Sequence, residues 1–393
     1  MITRKHILAI LALVISLPAA AHAASPLTVA RGEIERVKKA YAPDSRQVIY
    51  DVEALEGNNG QIMLRGIVSE QWLADTLTNA LKDKKVPLAQ GNAVLTYPSD
   101  RWALPRISVA SLRTKGAHAA EMATQALMGM PLRVLEKNGE WFHVQTPDGY
   151  IAWIPESSVA LKTPAEMDAW RKSKRMVVTS PYQIRAYATP TAKGLRDVVT
   201  DLVLGDIVVA TGSKAQKGRI EIELPDGRKG WAETSGLTPI EEWASQEFNP
   251  ELILDIAYSM EGTPYLWGGT SVKSLDCSGL AKTSYLANGL IIMRDASQQA
   301  LTGRRIEAKN WPTLQEGDLL FFGNAKTGRV THVAIYDHDG NYVHSSGRVK
   351  RNSVDPASSD YLSTPFLHAV RINGMQGTKG ITRAIDHPWY FNR

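Results

Sequence analysis

Three side chains near the C-terminal end have the types and spacing for nucleophilic catalysis: Cys277, His332 and His344. Cys277 is the only cysteine in the chain. It follows the stretch Thr263-Pro264-Tyr265-Leu266-Trp267-Gly268-Gly269 and stands just ahead of residues 278–288, which read as a helix closed by Gly289. A thiol at a helix N-terminus meets unpaired N–H groups and the positive end of the macrodipole. Both favour thiolate, the form that attacks carbonyls. One cysteine alone says little, because free Cys is among the most buried residue types. The histidines add the missing parts. His332 lies in the run 330–336 and His344 in 342–347, both of which read as strands. Side chains alternate along a strand, so His332, Ala334 and Tyr336 share a face. A loop of odd length, 337–341, puts His344 on that same face. Sulfur, imidazole and a third polar group form a nucleophile–base–orienter set. In that set His332 takes the thiol proton, protonates a leaving amine and later activates water. His344 holds the second ring nitrogen of His332.

These residues need elements to position them. Residues 250–260 read as a helix, with Leu252, Ile253, Ile256 and Ala257 apolar, and 317–323 as a buried strand. A cysteine-bearing helix followed by an antiparallel sheet carrying histidines is the papain-like arrangement in minimal form. Upstream, Pro147-Asp148-Gly149-Tyr150-Ile151-Ala152-Trp153 recurs as Pro225-Asp226-Gly227-Arg228-Lys229-Gly230-Trp231. Each copy follows an alternating strand, 141–145 or 220–224, with a further strand before it, 132–136 or 207–210. Short, regularly spaced strands with Asp-Gly turns predict two small β-barrels. Helical linkers are expected at 164–171 and 239–246. Nearer the N-terminus, a helix at 30–40, strands at 46–51 and 61–68, and a helix at 71–84 with Trp72, Leu73, Leu77 and Leu81 on one face predict a small α/β domain.

Composition narrows the setting. Arg4, Lys5 and His6 precede an apolar run from Ile7 to Leu17, and Ala21-His22-Ala23 fits a small-x-small cleavage pattern. This reads as a signal peptide, with the mature chain starting near Ala24. The run is too short to be a membrane span, and no later stretch is long enough. Export to the periplasm or the medium is the expectation. A lone thiol in an oxidising compartment is a liability unless it is used. The net charge of +5 comes without arginine-rich runs, which suits an acidic wall polymer and gives no argument for nucleic acid. Neither a second cysteine nor a zinc-type histidine spacing is present, so no metal or cofactor is expected.

The motifs "YLWGG", "LDCSGL", "EGDLLFFG", "THVAIY" and "YVHSSG" occur in one order over residues 250 to about 372. Together they closely resemble the NlpC-type cell-wall cysteine peptidases. The resemblance implies Cys277 as nucleophile, His332 as base and His344 as third member. "PDGYIAW", "PDGRKGW" and the stretch before the first resemble the bacterial SH3-like barrels of cell-wall enzymes. The implied fold is α+β: a papain-like (NlpC-type) catalytic domain over 247–393, preceded by SH3-like barrels over 91–163 and 164–246, an α/β domain over 24–90 and a signal peptide over 1–23. Tyr265 would lend its hydroxyl to the oxyanion beside the Cys277 N–H or else wall the groove, and Trp267 would pack against bound substrate or beside the catalytic histidine.

The segment "SLRTKGAHAAEMATQALMGMPLRVL" further resembles the first barrel of a dipeptidyl-peptidase VI-like subgroup. That resemblance implies that Glu121, Tyr150, Asp276 and Ser278 bind the free amino group of a terminal L-alanine, with Ser297 lining the substrate. A buried ammonium needs such partners, and an amide in its place would leave the carboxylates unpaired. The implied reaction is hydrolysis of the γ-D-glutamyl–diamino acid bond of peptidoglycan stem peptides by a monomeric enzyme, releasing L-Ala-γ-D-Glu. An endopeptidase or amidase acting on intact wall is the alternative within the same chemistry. An acyltransferase and a non-catalytic wall-binding scaffold are the others.

Overall fold

The computed structural model describes residues 24–392 apart from Asn92; the expected signal peptide lies outside the described residues. The described residues form two compact units: one comprises residues 24–41 with Asp51–Leu95, the other Ala42–Tyr50 with residues 96–392.

In the smaller unit, helix α1 (Pro26–Tyr41) buries Ala30, Ile34 and Val37 at helical spacing. Strands β1 (Tyr50–Glu56) and β2 (Ile62–Val68) follow, then helix α2 (Gln71–Asp83). Leu73, Leu77 and Leu81 of α2 are fully buried, whereas Trp72 is 48% exposed. Adjacent helix positions are rotated by about 100°, so Trp72 cannot share the leucine stripe. Its ring instead meets Tyr41 edge-on.

The expected strand at 46–51 begins only at Tyr50. The segment before it turns because the Asp44 carboxylate accepts from the Arg46 backbone N–H at 3.0 Å and from its guanidinium at 2.7 and 2.8 Å. This Asx-type bonding competes with a sheet ladder.

The larger unit contains three large antiparallel sheets and two two-stranded ones, the latter pairing Thr270–Ser271 with Ser274–Leu275 and Leu290–Ile292 with Ile381–Arg383. The first has seven strands: β3 (Trp102–Pro105), β4 (Val109–Arg113), β5 (Met122–Leu127), β6 (Leu132–Asn138), β7 (Trp141–Gln145), β8 (Ile151–Pro155) and β9 (Val159–Lys162), in the order β9-β3-β6-β7-β8-β4-β5. Helix α3 (Pro164–Lys172) has a Thr163–Glu166 capping box. The second sheet is also seven-stranded: β10 (Arg175–Val178), β11 (Ile184–Tyr187), β12 (Val198–Leu202), β13 (Ile207–Ala210), β14 (Arg219–Glu223), β15 (Lys229–Glu233) and β16 (Leu237–Pro239), in the order β12-β11-β15-β14-β13-β10-β16. These are the two SH3-like regions. Their ladders stay open rather than closing into complete barrels. In the first sheet the open edge is in use: β5 presents Gln125 to residues 270–274, which covers it.

Helix α4 (Ile240–Ala244) leads to α5 (Pro250–Ser259) and α6 (Cys277–Ala287), followed by the short α7 (Ala296–Gln299). The third sheet has strands β17 (Arg304–Glu307), β18 (Leu319–Asn324), β19 (Arg329–Tyr336), β20 (Asn341–Ser346), β21 (Arg348–Ser353) and β22 (Phe366–Arg371), ordered β17-β22-β18-β19-β20-β21. Helix α6 is buried along its whole length and packs with α5 and the sheet through Leu280, Ala281, Tyr285, Val333, Ile335 and Val343.

Candidate active site

The cysteine helix is started by Asp276. Its Oδ1 accepts from the Gly279 N–H at 2.7 Å, an N-cap bond. The helix approaches the preceding loop so closely that a Cβ on Gly279 would lie 1.8 Å from the Gly269 carbonyl oxygen. Gly268, at φ +83°, leaves no room either: a Cβ there would meet the Met122 carbonyl at 2.5 Å. The Gly-Gly pair lets strand β5 of the first sheet lie against the loop that delivers Cys277.

The histidines meet as the strand register requires. Tyr336 pairs with Tyr342 and Ile335 with Val343, so 332 and 344 fall on one face. His332 Nε2 is 2.7 Å from His344 Nδ1, and His344 Nε2 is 2.9 Å from Asn352 Oδ1. His344 is fully buried. The backbone N–H of Val333, next to His332, and that of Ser278 both lie against the sulfur and favour its ionised form.

They do not prevail. Burial, reinforced by the Asp276 carboxylate, pushes the Cys277 thiol up to about 11. Burial, with the charges of His344 and Lys350, pulls His332 down to about 3, and burial takes His344 down to about 4. The helix terminus predicts a standing thiolate. The structure instead gives a neutral thiol and a neutral imidazole at neutral pH, because desolvation disfavours both charged forms.

A cavity of ≈680 Å³ opens at the thiol. It collects Cys277, Tyr265, Trp267, Asp276, Ser278, Glu121, Tyr150 and Ser297, from the first sheet and the catalytic region alike. Tyr265 lies near the sulfur; burial and the charges of Cys277 and Asp276 raise its phenol, so it keeps its proton and can donate. Trp267 is 61% exposed and forms part of the wall. Glu121 is exposed, and its carboxylate has no cationic partner among the described residues.

Asp276 differs from Glu121 in being already filled. It accepts from Gly268 N–H (2.9 Å), Gly279 N–H (2.7 Å), Ser278 Oγ (3.1 Å) and Arg294 Nη1 and Nη2 (3.1 and 2.6 Å). Five donors exhaust the roughly four lone-pair sites of a carboxylate. Arg294, fully buried, also reaches Thr124 Oγ1 at 3.0 Å and Ser278 Oγ at 2.9 Å.

Sequence reasoning missed Arg46, Arg294, Asp295 and Asn352. Arg46 Nη1 bonds Asp295 Oδ2 at 2.7 Å, and Asp295 also accepts from the Tyr150 hydroxyl. Burial raises the Asp295 carboxyl despite both arginines. A signal was present for the pair Arg294-Asp295, which directly precedes Ser297 in "RDASQQ". None existed for Arg46, which joins this site across 249 residues.

A thiol and a hydroxyl donor at one cavity, with an imidazole bonded to a second imidazole on the adjacent strands, are the groups that acyl transfer uses. The NlpC/P60 family model matches residues 262–371, and the model for the bacterial dipeptidyl-peptidase SH3 domain matches 112–159. A Bacillus cereus gamma-D-glutamyl-L-lysine dipeptidyl-peptidase is 30% identical over 74% of this chain and 84% of its own length. The chain belongs to the NlpC/P60 family. As a member it is a cysteine peptidase. Dipeptidyl-peptidase 6 of Lysinibacillus sphaericus is 31% identical over 60% of this chain and 85% of its own. A crystal structure of an NlpC/P60 family protein from Bacillus cereus superposes with a TM-score of 0.57 over 69% of this chain and 99% of that one, at 23% identity, which speaks for the shared fold.

Proposed function

We propose that this NlpC/P60 peptidase is exported and acts on peptidoglycan stem peptides, cleaving the γ-D-glutamyl–diamino acid bond beside a free N-terminal L-Ala and releasing L-Ala-γ-D-Glu. The reading rests on the contents of one cavity: the Cys277 thiol shares it with Glu121, an acid lacking a cationic partner among the described residues. A terminal ammonium supplies that partner. Tyr150 and Asp295 form the inner wall of the clamp, and Ser297 lies beside them. Asp276 and Ser278, occupied by Arg294 and the helix N-terminus, act by fixing the wall and by charge rather than through a vacant lone pair. Arg329, exposed at the same cavity with no carboxylate partner among the described residues, complements the carboxylates of a stem peptide. The names of the relatives, gamma-D-glutamyl-L-lysine dipeptidyl-peptidase and dipeptidyl-peptidase 6, support the same reading.

In this mechanism Sγ of Cys277 attacks the γ-carbonyl while its proton passes to His332. The Cys277 N–H and the Tyr265 hydroxyl receive the oxyanion. His332 then protonates the departing amine of the diamino acid, leaving a thioester. Water, deprotonated by His332, hydrolyses it and frees the dipeptide. The five-part division of the chain at residues 23, 90, 163 and 246 belongs to the same proposal, as does export. Deleting the first 23 residues should retain the protein in the cytoplasm, as cell fractionation would report.

The deciding assay pairs L-Ala-γ-D-Glu-diaminopimelate with its N-acetyl form. Acetylation should lower kcat/KM by roughly 10²-fold or more. Equal rates would refute the amine clamp and favour an endopeptidase on intact wall. Cys277→Ala should abolish cleavage; retained cleavage would remove the catalytic assignment.

A further inference from the structure

We propose that Asn352 is a positioning residue that decides which nitrogen of His332 is bare and able to take the Cys277 proton. The inference rests on the catalytic reading above and adds a residue to it. The chain of hydrogen bonds runs inward from a fixed point. Asn352 Nδ2 donates to the Asp360 carbonyl at 2.9 Å, which sets the orientation of the amide. Its Oδ1 therefore faces His344 Nε2 at 2.9 Å. An amide oxygen cannot donate, so His344 carries its proton on Nε2. A neutral imidazole bears one proton, which leaves His344 Nδ1 as an acceptor. The contact of 2.7 Å between His344 Nδ1 and His332 Nε2 must then be donated by His332. His332 Nδ1 is left with a lone pair and has no other partner among the described residues.

Turning the amide over reverses every step. Nδ2 of Asn352 would donate to His344 Nε2, and His344 Nδ1–H would donate to His332. The one proton of neutral His332 would then reside on Nδ1, where it blocks acceptance from the thiol. The second imidazole alone does not choose between these states, since it can bond His332 in either. The choice is made by an amide two strand positions past Lys350, held in turn by a backbone carbonyl. Both histidines are neutral through burial, which the relay requires. The other groups facing them are Lys350 on β21, Asp276 at the start of α6, and the rings of Phe322 and Tyr342.

The test uses the full-length mature protein and two variants. In wild type, ¹⁵N-histidine NMR near pH 7.5 should show His332 and His344 both protonated on Nε2; a protonated His332 Nδ1 overturns the proposal. Asn352→Leu should lower kcat by roughly 10- to 100-fold, less than most of the ~10²–10⁴ that a general base contributes, with KM within about twofold and His344 no longer held as the Nε2–H tautomer. Asn352→Asp preserves an acceptor and adds charge. It should recover much of kcat and move the acid limb of the kcat/KM profile upward by about one pH unit. Wild-type kcat in Asn352→Leu, or an unmoved acid limb in Asn352→Asp, overturns the relay. Cys277→Ala separates the two ideas: activity that survives it sinks the catalytic reading, whereas activity lost in Cys277→Ala with both Asn352 variants behaving as wild type sinks the relay alone.

Discussion

The two SH3-like sheets carry the same Pro-Asp-Gly hairpin and use it differently. In the first, Asp148 reaches across to the cysteine helix, where Lys282 Nζ lies 2.9 Å away in a nearly dry contact, with the two side chains 1% and 8% exposed. Two residues on, Tyr150 enters the active-site cavity and bonds Asp295. In the second, Asp226 accepts from Arg106 of the first sheet and from its own Arg228, both at 2.8 Å and both about two-fifths exposed. The residue that takes the place of Tyr150 is Arg228. No residue of the second sheet lines the cavity among the described residues. Its carboxylates brace the first sheet instead: Asp206, fully buried, accepts from the Met128 N–H at 2.9 Å, and Asp201 accepts from Ser108 at 2.8 Å. A repeated turn thus supplies a geometry, and the neighbour it meets decides whether that geometry serves a substrate or a scaffold.

The largest expected effect is on stability. Lys282→Met leaves Asp148 as a buried charge without its cation and should cost about 3–5 kcal/mol, read as a drop in the urea midpoint. Adding Asp148→Asn should restore part of the loss; a single variant with wild-type stability would erase the distinction between the two hairpins. Next, Glu121→Gln and Tyr150→Phe should each lower kcat/KM on the free-amine tripeptide by roughly 10- to 100-fold, the scale of a lost charge-assisted bond. On the acetylated peptide they should have little effect. Equal losses on both peptides would assign these residues to general packing.

A pH effect of intermediate size should come from the catalytic region. The folded values of His332 and His344, about 3 and 4, lie below the ordinary value of 6.5. Above 6.5 both states are neutral, and the fold keeps its full stability. As pH falls below 6.5 the unfolded chain takes up protons that the folded one refuses, so stability is lost progressively toward pH 3. Urea midpoints at pH 7.5 and 5 should differ, and His344→Asn should flatten the difference. The smallest effect belongs to the second sheet: Arg228→Ala should change stability by no more than about 1 kcal/mol and leave kcat/KM within about twofold. A tenfold loss of activity there would show that the second hairpin also serves the site.

Much of the catalytic region was legible in the chain. The helix expected at 278–288, after the Gly-Gly loop and before Gly289, runs from Cys277 to Ala287. The shared face of His332 and His344 followed from strand alternation and an odd loop, and the 2.7 Å contact is the outcome. The first sheet's docking was less legible: its open edge is covered through Gln125, which accepts the Thr270 N–H at 2.8 Å and donates to Ser274 at 3.1 Å. Such a contact has no period and no spacing, because its partners are 145 and 149 residues apart.

By itself the sequence determined the helix that carries Cys277, the shared face of His332 and His344 and the repeat, since each rests on local order: a glycine loop before an apolar run, an alternation, a turn. Only the tertiary structure decided the rest of the site. It brought Arg46 to Asp295, filled Asp276 with Arg294 so that Glu121 is left as the open acid, and closed the histidine pair with Asn352. It also reversed the charge state expected at Cys277. A helix terminus is visible in sequence, but the loss of water around a buried sulfur depends on every element that covers it. At Cys277 that loss outweighs the pull of the helix N-terminus, and the thiol keeps its proton.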